Sequence, residues 1–136
     1  MLSNIHAYMV RAVYEWALDN KCTPYIEVDA EENYVTVPRE YVKEGKIILN
    51  ISPQTVEDFQ IKNDFMTFRS RFGGVMRQVK IPIFMVMRIY AYENGIGMIF
   101  REAKDINTQA YPMASNMRGK PKLRLITTKE DEEKKI

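Results

Sequence analysis

Six short runs rich in β-branched and aromatic residues lie between Pro24 and Pro82, and they constrain the fold of this chain more than any other feature. The runs are YIEVD, YVTVP, KIILNIS, TVEDFQIK, FMTFRSRF and VMRQVKIP. Turn residues separate them, most clearly Asn63-Asp64 and Gly73-Gly74, which tolerate the left-handed backbone of tight turns. Short strands joined by close turns predict an antiparallel sheet or a small barrel.

Helical periodicity flanks this region on both sides. Residues 3–20 place apolar side chains at the i, i+3, i+4 and i+7 spacing of an amphipathic helix, and a second apolar line leaves only a narrow polar stripe. The second face either meets a copy of the chain or is buried inside the monomer, and the pattern favours neither. Residues 82–95 return to the helical period and predict a further helix, followed by the strand GMIF.

The apolar pattern stops near Arg101. With 136 residues and 46% hydrophobic content, the chain can build one core, so we predict an α+β, mainly β domain over residues 1–101. Residues 102–117 form a candidate linker, and residues 118–136 form a flexible tail.

The charge distribution argues against a dedicated nucleic-acid binder. The net charge is +2, but residues 118–136 hold seven Lys or Arg against four Asp or Glu, so the predicted domain has no basic excess. A local patch of four cations and two alternating aromatic residues, Phe68 and Phe72, keeps RNA open as a minor alternative. The four cations are Arg69, Arg71, Arg77 and Lys80.

The residues needed for catalysis or for holding a metal are scarce. His6 is the single histidine and is expected to be solvated or at an interface, while Cys22 is the single cysteine and is expected to be a buried or idle thiol. The string RFGG lacks the Lys and Ser/Thr of a phosphate loop. The sequence therefore predicts no enzyme, no metal and no cofactor.

The N-terminus lacks the basic start and cleavage site of a secretory signal. The longest uncharged apolar run, residues 81–87, is far shorter than the roughly 20 residues that span a bilayer. A soluble cytoplasmic protein without a membrane partner is expected.

Several strings, in their order and spacing, resemble the SspB family, the bacterial stringent starvation protein B adaptors. They are VRAVYEWALDNKCTPYI, ILNISPQTV, RFGG, RQVKIP, YAYENGIGMIF and, in the tail, RGKPKLRL. The resemblance covers most of residues 8–101 and resumes at Arg118. It implies an Sm-like domain that forms a homodimer through its N-terminal helix. The interface positions are Val10, Val13, Tyr14 and Ala17.

The resemblance also implies a groove for an extended peptide, the ssrA tag that marks polypeptides from stalled ribosomes. Matching positions place it on Asn50, Ile51, Ser52, Ser70, Arg71, Phe72, Gly73 and Ile99. Arg71 is the residue expected to contribute most to tag binding, because a guanidinium binds carboxylates and carbonyls. Without the resemblance, Arg71 reads as an ordinary surface arginine, and Phe72 and Ile99 read as core.

The tail is expected to dock onto the zinc-binding domain of ClpX, the unfoldase of the ClpXP protease. The matching positions are Arg118, Gly119, Pro121, Leu123, Arg124 and Leu125. The implied role is to tether tagged polypeptides to ClpXP. The other possibilities are an Sm-like RNA binder and a general dimeric peptide scaffold.

Overall fold

The computed structural model describes residues 5–101 and 124–126. Within these ranges, helix α1 spans Ile5–Asp19, and two 3-10 turns cover Arg39–Tyr41 and Ile83–Met85. The strands are β1 Pro24–Asp29, β2 Lys46–Asn50, β3 Val56–Ile61, β4 Phe65–Phe72, β5 Val75–Pro82, β6 Val86–Ala91, β7 Gly97–Ile99 and β8 Arg124–Ile126.

The strands form two antiparallel sheets. The larger sheet has the order β2-β1-β6-β7-β8, and the smaller has the order β3-β4-β5. The predicted fold class, an N-terminal helix followed by a mainly antiparallel β domain, is confirmed. The two sheets do not close into one barrel, although their arrangement is compatible with the Sm-like expectation.

The Gly73-Gly74 turn forms as predicted. Phe72 pairs with Val75, so the hairpin has a two-residue loop, and Gly73 and Gly74 have φ of +63° and +84°. Positive φ at both loop positions matches the right-handed twist of the flanking strands. This turn fixes where β4 ends.

The further helix predicted for residues 82–95 is wrong. The segment forms the 3-10 turn Ile83–Met85 and then β6. Strand β6 lies between β1 and β7, and Val86, Met87, Ile89 and Ala91 on it are all buried. The register against β1 shifts between Glu27 and Val28, so the consecutive residues Val86 and Met87 are both buried and the strand alternation is interrupted there. Together with the preceding 3-10 turn, this spacing of apolar residues imitates a helix.

One other expectation also fails. The run YVTVP is not a strand, because it pairs with β5 only through a single bridge between Thr36 and Lys80. Pro38, the last residue of this run, has no N–H group to donate to a ladder. Within the predicted tail, Arg124–Ile126 pairs with β7. The rest of the predicted linker and tail lies outside the described residues.

Helix α1 holds the two sheets together. Its buried face carries Ala7, Val10, Val13 and Ala17 against the core of the larger sheet. Tyr14 stacks on Phe59 of β3, with ring centroids 4.8 Å apart.

The same helix is also hydrogen-bonded to the end of β3. Arg11 donates to the Ile61 carbonyl and to the Asn63 side chain, each at 3.0 Å. The core of the domain therefore depends on one face of α1.

The opposite face of α1 is the one available to another molecule. Ile5 and Tyr8 are 65% and 49% exposed, and Ala12 continues their stripe. Three of the predicted interface residues, Val10, Val13 and Ala17, are instead buried inside the protomer.

A buried polar cluster is built around the ion pair of Arg101 and Asp29. Arg101 donates to Asp29 Oδ2 at 3.0 Å, and both side chains are more than nine-tenths buried. Asp29 Oδ1 also accepts the Glu31 amide. A buried ion pair needs such supporting bonds, because each charge has lost its water. The pair ties the last described residue of the domain, Arg101, to strand β1.

His6 lies beside this cluster, buried in the protomer, so the expected solvated or interface position is wrong. Its Nε2 lies 2.9 Å from the Val86 carbonyl, and its ring packs on Phe100. Burial lowers the pKa of His6 from 6.5 to about 4; the bond to Val86 opposes this, and the nearby Arg101 charge adds to it.

In the part of the chain that the structure describes, no helix has the length and apolar character needed to cross a membrane.

The His6 pKa predicts a pH dependence of stability. The folded pKa of about 4 lies below the unfolded value of 6.5, so His6 contributes fully above pH 6.5 and progressively less as the pH falls to about 4. We expect the free energy of unfolding to fall by about 3 kcal/mol across this window. Urea titrations of the wild type and of His6→Gln measure it. An equal slope in both proteins would contradict the assignment.

Candidate peptide-binding site

Strand β2 is an open edge of the larger sheet. Among the described residues it has a partner strand on one side only, β1. The Ile51 amide donates to the Pro24 carbonyl on β1. Because backbone groups point to alternate sides along a strand, Leu49 also faces β1, whereas Ile48 and Asn50 turn their N–H and C=O groups to the open edge. Such an edge can accept an added strand.

A hollow of about 360 Å³ lies beside β2. It is lined by the exposed side chain of Ile48 and by the aromatic pair Tyr41 and Phe72, whose ring centroids are 5.7 Å apart. Lys43 and Lys46 stand at its margin. The hollow therefore offers apolar surface for side chains next to free backbone groups, and cations nearby.

A polar link joins the end of β2 to β4. The Asn50 side chain accepts the Ser52 amide at 2.9 Å, which turns the chain at the strand end. The Ser52 and Thr55 hydroxyls are 3.1 Å apart, and the Ser70 hydroxyl donates to the Thr55 carbonyl at 3.3 Å. Hydrogen bonds thus connect Asn50, Ser52, Thr55 and Ser70, with Thr55 at the centre of the group.

Gly73 sets the position of the aromatic wall. A Cβ at this residue would lie 3.3 Å from the Tyr41 hydroxyl, closer than an ordinary van der Waals contact. At Gly74, the next residue, an added Cβ would meet nothing within 4 Å. Glycine at position 73 therefore serves both the turn and the approach of Tyr41.

Arg71 is the arginine within residues 5–101 whose guanidinium makes no hydrogen bond or ion pair in the structure. The others bind carboxylates, an amide side chain or backbone carbonyls. Arg69, two residues earlier on the same face of β4, contacts both Glu57 and Asp58. An exposed guanidinium with unused donors can bind a carboxylate or carbonyl from another molecule.

The predicted site residues are not all neighbours. Asn50, Ser52, Ser70, Phe72 and Gly73 lie together around Thr55 and Tyr41. The side chain of Ile51 is fully buried in the core, where its packing helps to hold the end of β2 in place. Arg71 leaves β4 on the face opposite to Phe72, as the alternation of side chains along a strand requires.

Ile99 lies apart from this group. It is in register with Arg88, Glu27 and Ile48 across the larger sheet, so it shares their face but is three strands from β2. Three strand spacings amount to about 14 Å.

Sequence reasoning missed Tyr41, Lys43, Ile48 and Thr55. The signal for Ile48 was its position in KIILN, where strand alternation places it on the face opposite to Ile47 and Leu49. In the structure those two neighbours are buried, and Ile48 is 54% exposed. Tyr41 sits in a 3-10 turn and has no periodic pattern around it. Only the fold brings it against Phe72.

A larger hollow of about 660 Å³ lies elsewhere, between Tyr34, Phe65, Lys80 and Phe84. None of the predicted peptide-binding residues lines it. Among residues 5–101 and 124–126, no three His, Cys, Asp or Glu side chains converge as a metal site would require.

The two glycines of the turn give a matched pair of substitutions. Gly73→Ala and Gly74→Ala each place a side chain at positive φ, so each should lower the free energy of unfolding by about 1 kcal/mol. Only Gly73→Ala should displace Tyr41, seen as shifted NMR resonances of its ring. Equal Tyr41 shifts in both variants would refute the role given to Gly73.

Comparison with known proteins agrees with the resemblance in the sequence. The family model described as stringent starvation protein B matches residues 4–135. A stringent starvation protein B homolog from Haemophilus influenzae (strain ATCC 51907 / DSM 11121 / KW20 / Rd) is 48% identical over 93 residues, which cover 68% of this chain and 62% of that relative. The chain therefore belongs to the stringent starvation protein B family.

Proposed function

We propose that the protein is a non-enzymatic, cytoplasmic adaptor for proteolysis. It binds the ssrA tag at the open edge of β2 and brings the tagged polypeptide to the ClpXP protease through its C-terminal tail. The observation that carries the proposal is the free backbone of Ile48 and Asn50 beside a hollow walled by Tyr41 and Phe72. Family membership gives this geometry its context.

The binding chemistry is strand addition. An extended tag aligns with β2 and exchanges backbone hydrogen bonds with Ile48 and Asn50, while alternate side chains enter the hollow. Lys43 beside the hollow and the unpaired Arg71, on the other face of β4, supply positive charge for the acidic and amide side chains of the tag. Lys46 also lines the hollow, but its ammonium lies 3.9 Å from the Glu27 carboxylate. Backbone bonds give affinity, and the hollow and the cations give preference for particular residues.

Tethering follows from the tail. A tag held on the domain and an unfoldase held by the docking positions at 118–125 would meet in a nearly intramolecular reaction, at roughly millimolar effective concentration for a short flexible linker. The protein therefore accelerates delivery without a chemical step of its own.

A homodimer would double the tails and add avidity. We place its interface on the exposed stripe of α1, Ile5, Tyr8 and Ala12, because Val10, Val13 and Ala17 are occupied by the protomer's own core. Tyr14 lies between the two faces.

RNA fits the described surface less well. Two of the four cations in the expected basic patch are already paired, Arg69 with Glu57 and Asp58, and Arg77 with Glu40. Phe68 is 1% exposed and cannot stack a base. A phosphate backbone needs unpaired cations.

Tag binding should depend on Arg71. Arg71→Ala should weaken binding of a labelled ssrA peptide about 10- to 100-fold, because a hydrogen bond to a charged group contributes about 1.5–3 kcal/mol. Fluorescence anisotropy measures the affinity, and a thermal melt confirms that the variant is folded.

The matched control is Arg69→Ala, on the same face of β4. Arg69 already binds Glu57 and Asp58, so its removal should change tag affinity by less than about twofold. Folded wild-type protein that does not bind the tag would refute the proposed function. Equal losses in the two variants would refute the specific role of Arg71.

The dimer prediction separates the two faces of α1. Ala12→Asp should reduce the mass in solution to that of one chain without unfolding it, whereas Val13→Asp, at a position 9% exposed, should destabilise the protomer by several kcal/mol. Light scattering and thermal melts measure the two effects, with the exposed Gln78→Asp as control. A dimer that survives Ala12→Asp would exclude this interface.

A further inference from the structure

The second edge of the larger sheet is covered by the chain's own tail. Strand β8 pairs antiparallel with β7 in the register Gly97↔Ile126, Met98↔Leu125 and Ile99↔Arg124. Strand β7 is already paired with β6 on its other side. Without β8, the edge of β7 would be as open as that of β2.

The hydrogen-bond pattern identifies which backbone groups take part. The Phe100 amide donates to Met87 on β6, and the Ile96 carbonyl accepts from Ala91. By alternation, Met98 also faces β6, whereas Gly97 and Ile99 turn their N–H and C=O groups towards β8. The register then sets Ile126 and Arg124 opposite them.

Two of the three residues in β8, Arg124 and Leu125, are also positions of the tail motif assigned to the unfoldase under the proposed function. While the backbone of β8 is hydrogen-bonded to β7, the same backbone cannot be enclosed in a binding site of another protein. We propose that the edge of β7 is an internal docking site for the tail, and that tail pairing and unfoldase binding exclude each other. This inference rests on the proposed function for its second half only.

The pairing is suited to a reversible contact. It involves three residues of β8, and residues 102–123 connect it to the domain, so few bonds offset the ordering of the tail. If the tail is paired in about nine of ten molecules, the apparent affinity for the unfoldase falls about tenfold. The domain would thereby hold its own docking motif in a partly hidden state.

Amide exchange in the full-length chain tests the pairing directly. Ile126→Pro removes the donor opposite Gly97 and should speed exchange of the Gly97 and Ile99 amides about tenfold. The Met98 amide, which faces β6, should not change. Thr128→Pro, beyond the end of β8, is the control. Unaltered exchange at Gly97 and Ile99 in Ile126→Pro would overturn the docking site, whatever the protein's function.

Binding to the isolated zinc-binding domain of ClpX tests exclusion. A synthetic peptide of residues 118–136 should bind about tenfold more tightly than the same residues in the full chain, and Ile126→Pro should close this gap by strengthening the full chain. The same substitution in the peptide measures any direct effect of proline on the contact. Equal affinities of peptide and full chain would overturn exclusion.

The exchange and binding experiments together distinguish failure of the proposed function from failure of the docking site on β7. If neither the peptide nor the full chain binds the ClpX domain, the tethering role and exclusion both fall, while the exchange data still decide whether β7 holds the tail.

Discussion

Unpaired backbone at the edges of a small open sheet is the constraint that organises this structure. Every edge strand presents N–H and C=O groups that water, a ligand or another strand must satisfy. The larger sheet meets this requirement in two ways among its described strands. The edge of β7 is covered by β8, and the edge of β2 carries no strand. In our account the open edge receives the tag, and the covered edge stores the tail.

The edges are useful because the rest of the domain holds them still. Helix α1 packs on the larger sheet and reaches β3 through Tyr14 and Arg11, so the two sheets keep a fixed relation across the hollow. The link from Ser52 through Thr55 to Ser70 performs the same role nearer the site. A peptide that binds there orders itself but need not order the protein, which limits the entropy lost on binding.

Sequence patterns predicted what local chemistry determines. The β4–β5 hairpin followed from alternation and from Gly73-Gly74, and α1 followed from its period. The error at residues 82–95 has a tertiary cause, because the register of β6 against β1 shifts between Glu27 and Val28 and interrupts the alternation of buried residues. The pairing of β8 with β7 also depends on residues distant in sequence, and no local pattern announces it.

The site residues divide in the same way, into those that a local motif predicts and those that only the fold brings together. Motif matches located Phe72 and Gly73, but Tyr41 joins them only through the fold. Ile51 is out of phase with Ile48 and Asn50 in the alternation that separates core-facing from edge-facing residues, and a short strand does not reveal this phase. The free state of the Arg71 guanidinium likewise depends on the fold, which gives partners to every other arginine in residues 5–101 but not to this one.

Hydrogen exchange on binding of the ssrA peptide tests the central claim most directly. Strand addition at β2 predicts that the amides of Ile48 and Asn50 slow markedly when the peptide saturates the protein, while the Leu49 amide, which faces β1, changes little. Saturable binding that leaves Ile48 and Asn50 unprotected would contradict the account and place the peptide elsewhere on the domain.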